Sequence, residues 1–147
     1  MDDADISVRN LTYRMFVDAG RAPTADEVAV AASVGTLEIE AAWRRLSDAH
    51  ALVLFVDTMQ LRMLNPFSAI ATGYRVHASG RWWYGNCAWD ALGICAALHV
   101  DGRIEWVCPD CGEAIEAEVH RGRAAPDELV FHCLVPAARW WDDIVLT

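Results

Sequence analysis

Three observations predict an α+β fold for this chain. Amphipathic helical patterning fills the first third, alternation with tight turns fills most of the rest, and one apolar helix interrupts the strands. Residues 7–18 place Val8, Leu11, Met15 and Phe16 on one helical face. The stretch Ala19-Gly20-Arg21-Ala22-Pro23 breaks that helix. Thr24 caps a second one, and Glu27 three residues on completes a capping box. After Gly35, Thr36 opens a third helix through Trp43 and Leu46. Ala51 to Leu64 alternates loosely and predicts a two-stranded hairpin. Three short helices and a hairpin form a winged-helix-like module over 1–65, closed by the proline break Asn65-Pro66-Phe67-Ser68.

The remainder, 66–147, predicts a small mixed or antiparallel sheet with one buried helix. Tyr74-Arg75-Val76-His77 and Arg81-Trp82-Trp83-Tyr84 are strand-like around the turn Ala78-Ser79-Gly80. The stretch Ala91 to Leu98 reads as a buried helix. Strands are expected at Ile104–Val107 and Ala114–Val119, flanking a turn at Cys108-Pro109-Asp110-Cys111-Gly112. Another is expected at Leu129–Leu134, and a short helix at Trp140–Asp143.

Composition excludes several function classes. Apolar residues make up 54% of the 147, too many for a disordered chain. The formal charge is −9 and all 12 basic residues are Arg, so phosphate neutralisation by a basic face is not expected. A DNA-binding role for the helical module is accordingly disfavoured: Glu38 and Glu40 oppose Arg44 and Arg45 on its third helix, which suits a packing or lid role better. No signal peptide is evident, and no apolar stretch approaches the roughly 20 residues that cross a bilayer. The expectation is a cytoplasmic protein without membrane or nucleic-acid partners. In that compartment the five cysteines, Cys87, Cys95, Cys108, Cys111 and Cys133, read as ligands, nucleophiles or core residues before disulfides.

The most informative segment is Asn86-Cys87-Ala88-Trp89-Asp90-Ala91-Leu92-Gly93. Cys87 and Asp90, at i and i+3 on a starting helix, project toward one point. A soft nucleophile beside a proton-carrying group is a reactive pair. The plain alternative is a small buried thiol beside a dipole-partner aspartate. A helix N-terminus would favour the thiolate form of Cys87. Cys95, about 80° round the helix and two turns on, reads as core. Cys108 and Cys111 have zinc-knuckle spacing, but four ligands are the rule, and only His132 and Cys133 are on hand to complete them.

Three features together resemble the organomercurial (alkylmercury) lyases: Asn65-Pro66-Phe67-Ser68 after the helical module, the box Cys87-Ala88-Trp89-Asp90-Ala91-Leu92, and the turn from Cys108 to Gly112. The resemblance runs from about Val8 to Thr147, and the Cys87 box is its specific part. It implies cleavage of a carbon–mercury bond by protonolysis, with Cys87 as mercury ligand and Asp90 as proton donor. Thiolate is the softest side-chain ligand available to soft Hg(II). The partners implied are an organomercurial substrate and cellular thiols, with no obligatory cofactor. The resemblance places the family's second catalytic cysteine just past Thr147, which leaves Cys133 as a candidate second thiol. The final residues, Trp141 to Thr147, read as the lead-in to a strand, so the chain is expected to be truncated. Gene decay, a mis-called end or a UGA codon read as selenocysteine would each account for that, and Trp-rich unpaired strands there would favour a homodimer. Two other classes stay open: a non-catalytic thiol module holding Hg(II) or Zn(II), and a winged-helix transcription regulator.

Overall fold

The computed structural model describes residues 1–130, 133 and 135–145. It has the expected α+β class, helices first and antiparallel sheet after, divided into two compact units, Met1–Asn65 and Pro66–Thr147.

The first unit holds α1 (Asp3–Ala19), α2 (Ala25–Ala32), α3 (Thr36–Asp48) and an antiparallel pair, β1 (Val53–Leu54) and β2 (Leu61–Leu64). Helix α1 starts before the apolar pattern does, because the Asp2 carboxylate accepts the Asp5 N–H and caps it. Both halves of the Thr24–Glu27 capping box are present. Helix α3 buries Ile39, Ala42, Trp43 and Leu46, the i, i+3, i+4, i+7 stripe of an amphipathic helix.

Helix α1 departs from its apolar pattern. Its buried residues are Asp5, Thr12 and Phe16, two of them polar. Each polar group is satisfied by α3. The Trp43 indole N–H donates to Thr12 Oγ1 at 3.1 Å. Arg45 grips the Asp5 carboxylate through Nη2 at 2.7 Å and Nε at 3.1 Å. Hydrogen bonding from the Arg45 guanidinium holds the Asp5 carboxyl below its usual 3.8. A depressed carboxyl pKa contributes stability that is fully present above that value and is lost as pH falls through the folded-state pKa. Arg45→Met is therefore expected to melt well below the parent at pH 7, with the gap closing at acid pH below 3.8. A gap that stays constant across thermal melts from pH 7 to pH 3 would show that the pair contributes nothing through charge.

The second unit opens with a short buried strand, β3 (Phe67–Ser68), and continues as β4 (Tyr74–Ala78), β5 (Arg81–Gly85), α4 (Ala88–Leu98), β6 (Gly102–Val107), β7 (Ala114–His120) and β8 (Arg123–Ala125). The five-stranded sheet has the order β5-β4-β6-β7-β8. Every pairing in it is antiparallel, so the mixed alternative is excluded. Hairpins join neighbours except where α4 carries the chain from β5 to β6. Val76, Ala78, Trp83, Ile104, Ala117 and Val119 face inward with Ala91, Ile94 and Cys95 of α4.

Helix α4 is apolar along its length yet buries one face only, and Trp89 is 58% exposed. The expected buried helix is thus half buried. Leu129 and Val130 are irregular rather than strand, while Phe131, His132 and Leu134 of that expected strand lie outside the described residues. Ala137–Asp142 forms a 3-10 helix where a short helix was anticipated a little further on.

Candidate active site

Strand β5 ends at Gly85, Asn86 follows, and Cys87 is the N-cap of α4. The close junction between strand and helix depends on a missing side chain. A Cβ on Gly85 would lie 2.8 Å from the Ala91 nitrogen and 3.1 Å from Asp90 Cβ. Any larger residue would push the first turn of α4, and Asp90 with it, off the sheet. The Thr72 hydroxyl donates to the Gly85 carbonyl and accepts the Tyr74 N–H, clasping the end of β5 to the start of β4. Gly93 serves a similar purpose on the next turn, where a Cβ would meet Pro66 at 3.0 Å. The two segments singled out in the sequence, Asn65-Pro66-Phe67-Ser68 and the Cys87 box, meet there through Pro66.

The Cys87 side chain makes no capping bond to the helix. Its thiol instead donates to Asp90 Oδ2 at 3.9 Å, and the Asn86 amide donates to the same oxygen at 3.3 Å. Both groups are half-buried. Burial raises the Cys87 thiol above its ordinary value, and the Asp90 charge adds to the effect. The expected thiolate preference at the helix start is therefore overturned: desolvation outweighs the backbone N–H groups of Trp89 and Asp90. Burial likewise raises the Asp90 carboxyl, against hydrogen bonds from Asn86 and Cys87 that favour the carboxylate. At rest the pair holds a proton on sulfur, aimed at an oxygen that binds protons more readily than an exposed carboxylate.

Asn86 stood in the informative segment without a role. Its amide stabilises the ionised form of Asp90, so Asn86→Ala is expected to raise the Asp90 pKa further. Titration of the Asp90 carboxyl carbon by NMR reads this directly; an unchanged or lowered midpoint would remove Asn86 from the proton circuit.

The other thiols divide into distinct environments, and none of the five is in a disulfide. Cys95 is 1% exposed and packs over β6, where a Cβ on Gly102 would lie 2.7 Å from its sulfur. It is a core residue, as its position on the helix predicts. Cys133 is exposed, and its charge bears on Cys87. Cys108 and Cys111 sit in the β6–β7 turn, where the backbone N–H groups of Cys111 and Asp110 and the Cys111 thiol bond to Cys108 and hold its thiol below the ordinary value. Among the described residues, no group of three or more His, Cys, Asp or Glu side chains can hold a metal ion. His132, the further zinc ligand considered, lies outside the described residues.

Tyr74, at the start of β4, went unnoticed in the sequence. Burial raises its phenol, and the nearby Cys87 and Cys108 add to the effect when they ionise. Only the strand order places it between them. A groove of about 800 Å³ runs between α4 and the β7–β8 hairpin, lined by Trp89, Leu92 and Val119 among others. Neither Cys87 nor Asp90 lines it.

The alkylmercury lyase (MerB) family matches residues 67–147, more than half of the chain and all of the Cys87 box. The chain belongs to the alkylmercury lyase family. The match begins at Phe67, so the family resemblance in sequence rests on the second unit. In fold the likeness extends further. The solved mercury-bound form of MerB2 superposes with a TM-score of 0.69 at 23% identity, over 86% of this chain. The chain spans 60% of the length of that relative. No curated protein matches by sequence. Among the described residues, no helix is long and apolar enough to cross a membrane.

Proposed function

We propose that this alkylmercury lyase family member cleaves carbon–mercury bonds, with Cys87 as the mercury ligand and Asp90 as the proton carrier. The observation that carries the proposal is the Cys87 thiol pointing at Asp90 Oδ2 over 3.9 Å inside the family-matched segment. When an organomercurial R–Hg–X binds, Cys87 sulfur replaces X, and the displaced thiol proton passes to Asp90. Sulfur then donates electron density to the soft metal and weakens its bond to carbon. Asp90 returns the proton to that carbon, the C–Hg bonding pair becomes the new C–H bond, and R–H leaves. An incoming thiolate fills the vacated position on mercury.

The raised Asp90 pKa suits this cycle, because a half-buried carboxylate takes up the thiol proton more readily than an exposed one. We read Cys133 as the second protein sulfur, since its charge bears on Cys87. Cellular thiols then exchange the metal away, which fits a reducing, cytoplasmic setting. We read residues 1–65 as a winged-helix-type packing module and 66–147 as the lyase core. Incubation with phenylmercuric acetate and excess thiol tests the proposal. Released benzene supports it; stoichiometric retention of phenylmercury without benzene would make the chain a mercury sink instead.

A further inference from the structure

We propose that Cys108 and Cys111 form a second soft-metal site, a dithiol clamp that takes Hg(II) produced at Cys87. The inference rests on the lyase reading for its source of mercury, but its geometry is independent. In the sheet order β5-β4-β6, the end of β5, the start of β4 and the end of β6 lie along one edge. Cys87 follows the first of these and Cys108 the last, with Tyr74 on the strand between. Strands β5 and β6 themselves lie two strand spacings apart, about 10 Å.

The turn is built to present sulfur. Cys108 N–H donates to the Glu113 carbonyl at 2.8 Å, and Gly112 N–H donates to the Cys108 carbonyl at 2.9 Å. That closed turn aims the N–H groups of Asp110 and Cys111 at the Cys108 sulfur and brings the Cys111 thiol against it. Successive N–H groups converging on one atom make an anion cradle, here for thiolate. Cys108 is half-buried and Cys111 exposed, so both can exchange ligands with solvent.

Coordination number selects the metal. Structural zinc asks for four ligands, and among the described residues no cluster of three or more is available. Hg(II) is satisfied by two thiolates in a line. A small-thiol complex RS–Hg–SR exchanges with the Cys108 and Cys111 thiols to give Cys108–S–Hg–S–Cys111 and two RSH, each incoming thiol proton leaving on a departing thiolate. Once the first sulfur binds, the second is intramolecular, which favours the clamp over two separate small thiols by about 100-fold.

The test uses the full chain carrying Cys87→Ser and Cys133→Ser, loaded with mercuric chloride in excess glutathione and then gel-filtered. One retained equivalent with sulfur-to-mercury charge-transfer absorption is expected. Adding Cys111→Ser, at an exposed position, is expected to lower retention about 100-fold, with the circular dichroism spectrum unchanged. Undiminished retention in that variant overturns the proposal, as does retention of one equivalent when zinc chloride alone replaces mercury. Benzene release by the parent chain keeps the two readings apart. Benzene without clamp retention fails this proposal alone; clamp retention without benzene fails the lyase reading and leaves the second site standing.

Discussion

Asp90→Asn is expected to lower benzene release from phenylmercuric acetate by about 10²- to 10⁴-fold, the usual contribution of a positioned general acid. The phenylmercury adduct on the Cys87 peptide should persist in intact-mass and peptide mapping, because sulfur and not oxygen holds the metal. The amide keeps the carboxyl's shape and can still accept the Cys87 thiol. It cannot take and return a proton. Loss of activity through unfolding is separable by sign. Burial raises the folded Asp90 pKa, so ionising it costs stability as pH climbs from 3.8 through the raised value. Asn never ionises, and the variant should melt at or above the parent's temperature at pH 7. Parental benzene release from Asp90→Asn would remove Asp90 from the reaction.

Cys87→Ser should abolish both the adduct on that peptide and benzene release above the buffer background. The substitution changes one atom and almost no volume, while replacing a soft ligand with a hard one that mercury scarcely binds. Because protonolysis needs the metal seated first, Asp90 has nothing to protonate in this variant. Adding Asp90→Asn should then cost nothing further, the non-additivity expected of groups that act as one unit. A double variant much slower than Cys87→Ser would mean that the two act independently.

Much of this architecture was legible because it is written in short-range signals. The capping box at Thr24 and Glu27, the turn at Ser79-Gly80 and the i, i+3 spacing of Cys87 and Asp90 all lie within a few residues. What escaped the sequence reading is set by partners far along the chain. Asp5 and Thr12 look like solvent-facing residues until Arg45 and Trp43, dozens of positions later, satisfy them. Tyr74 acquires its place beside two thiols only through the strand order. The thiolate expectation at Cys87 failed for a related reason. Helix position is visible in sequence, but the burial that outweighs it depends on how α4 packs against the sheet. Apolar content similarly overstated the burial of α4, since composition does not say which faces a sheet will cover.

Helix α4 begins on a residue whose carbonyl accepts the Ala91 N–H at 3.0 Å but whose side chain makes no full capping hydrogen bond. Serine, threonine, aspartate or asparagine at that position would bond a first-turn N–H and typically add about 1 kcal/mol, whereas the Cys87 sulfur meets the Trp89 and Asp90 N–H groups only weakly. The first turn, which also carries Asp90, is thereby left looser than this fold could make it, and a sulfur held only weakly by the helix gives up little when it meets a metal. Function and rigidity compete at one atom. Engineering this protein for heat resistance by the usual remedy, a better helix start, would harden the scaffold and silence it in the same substitution.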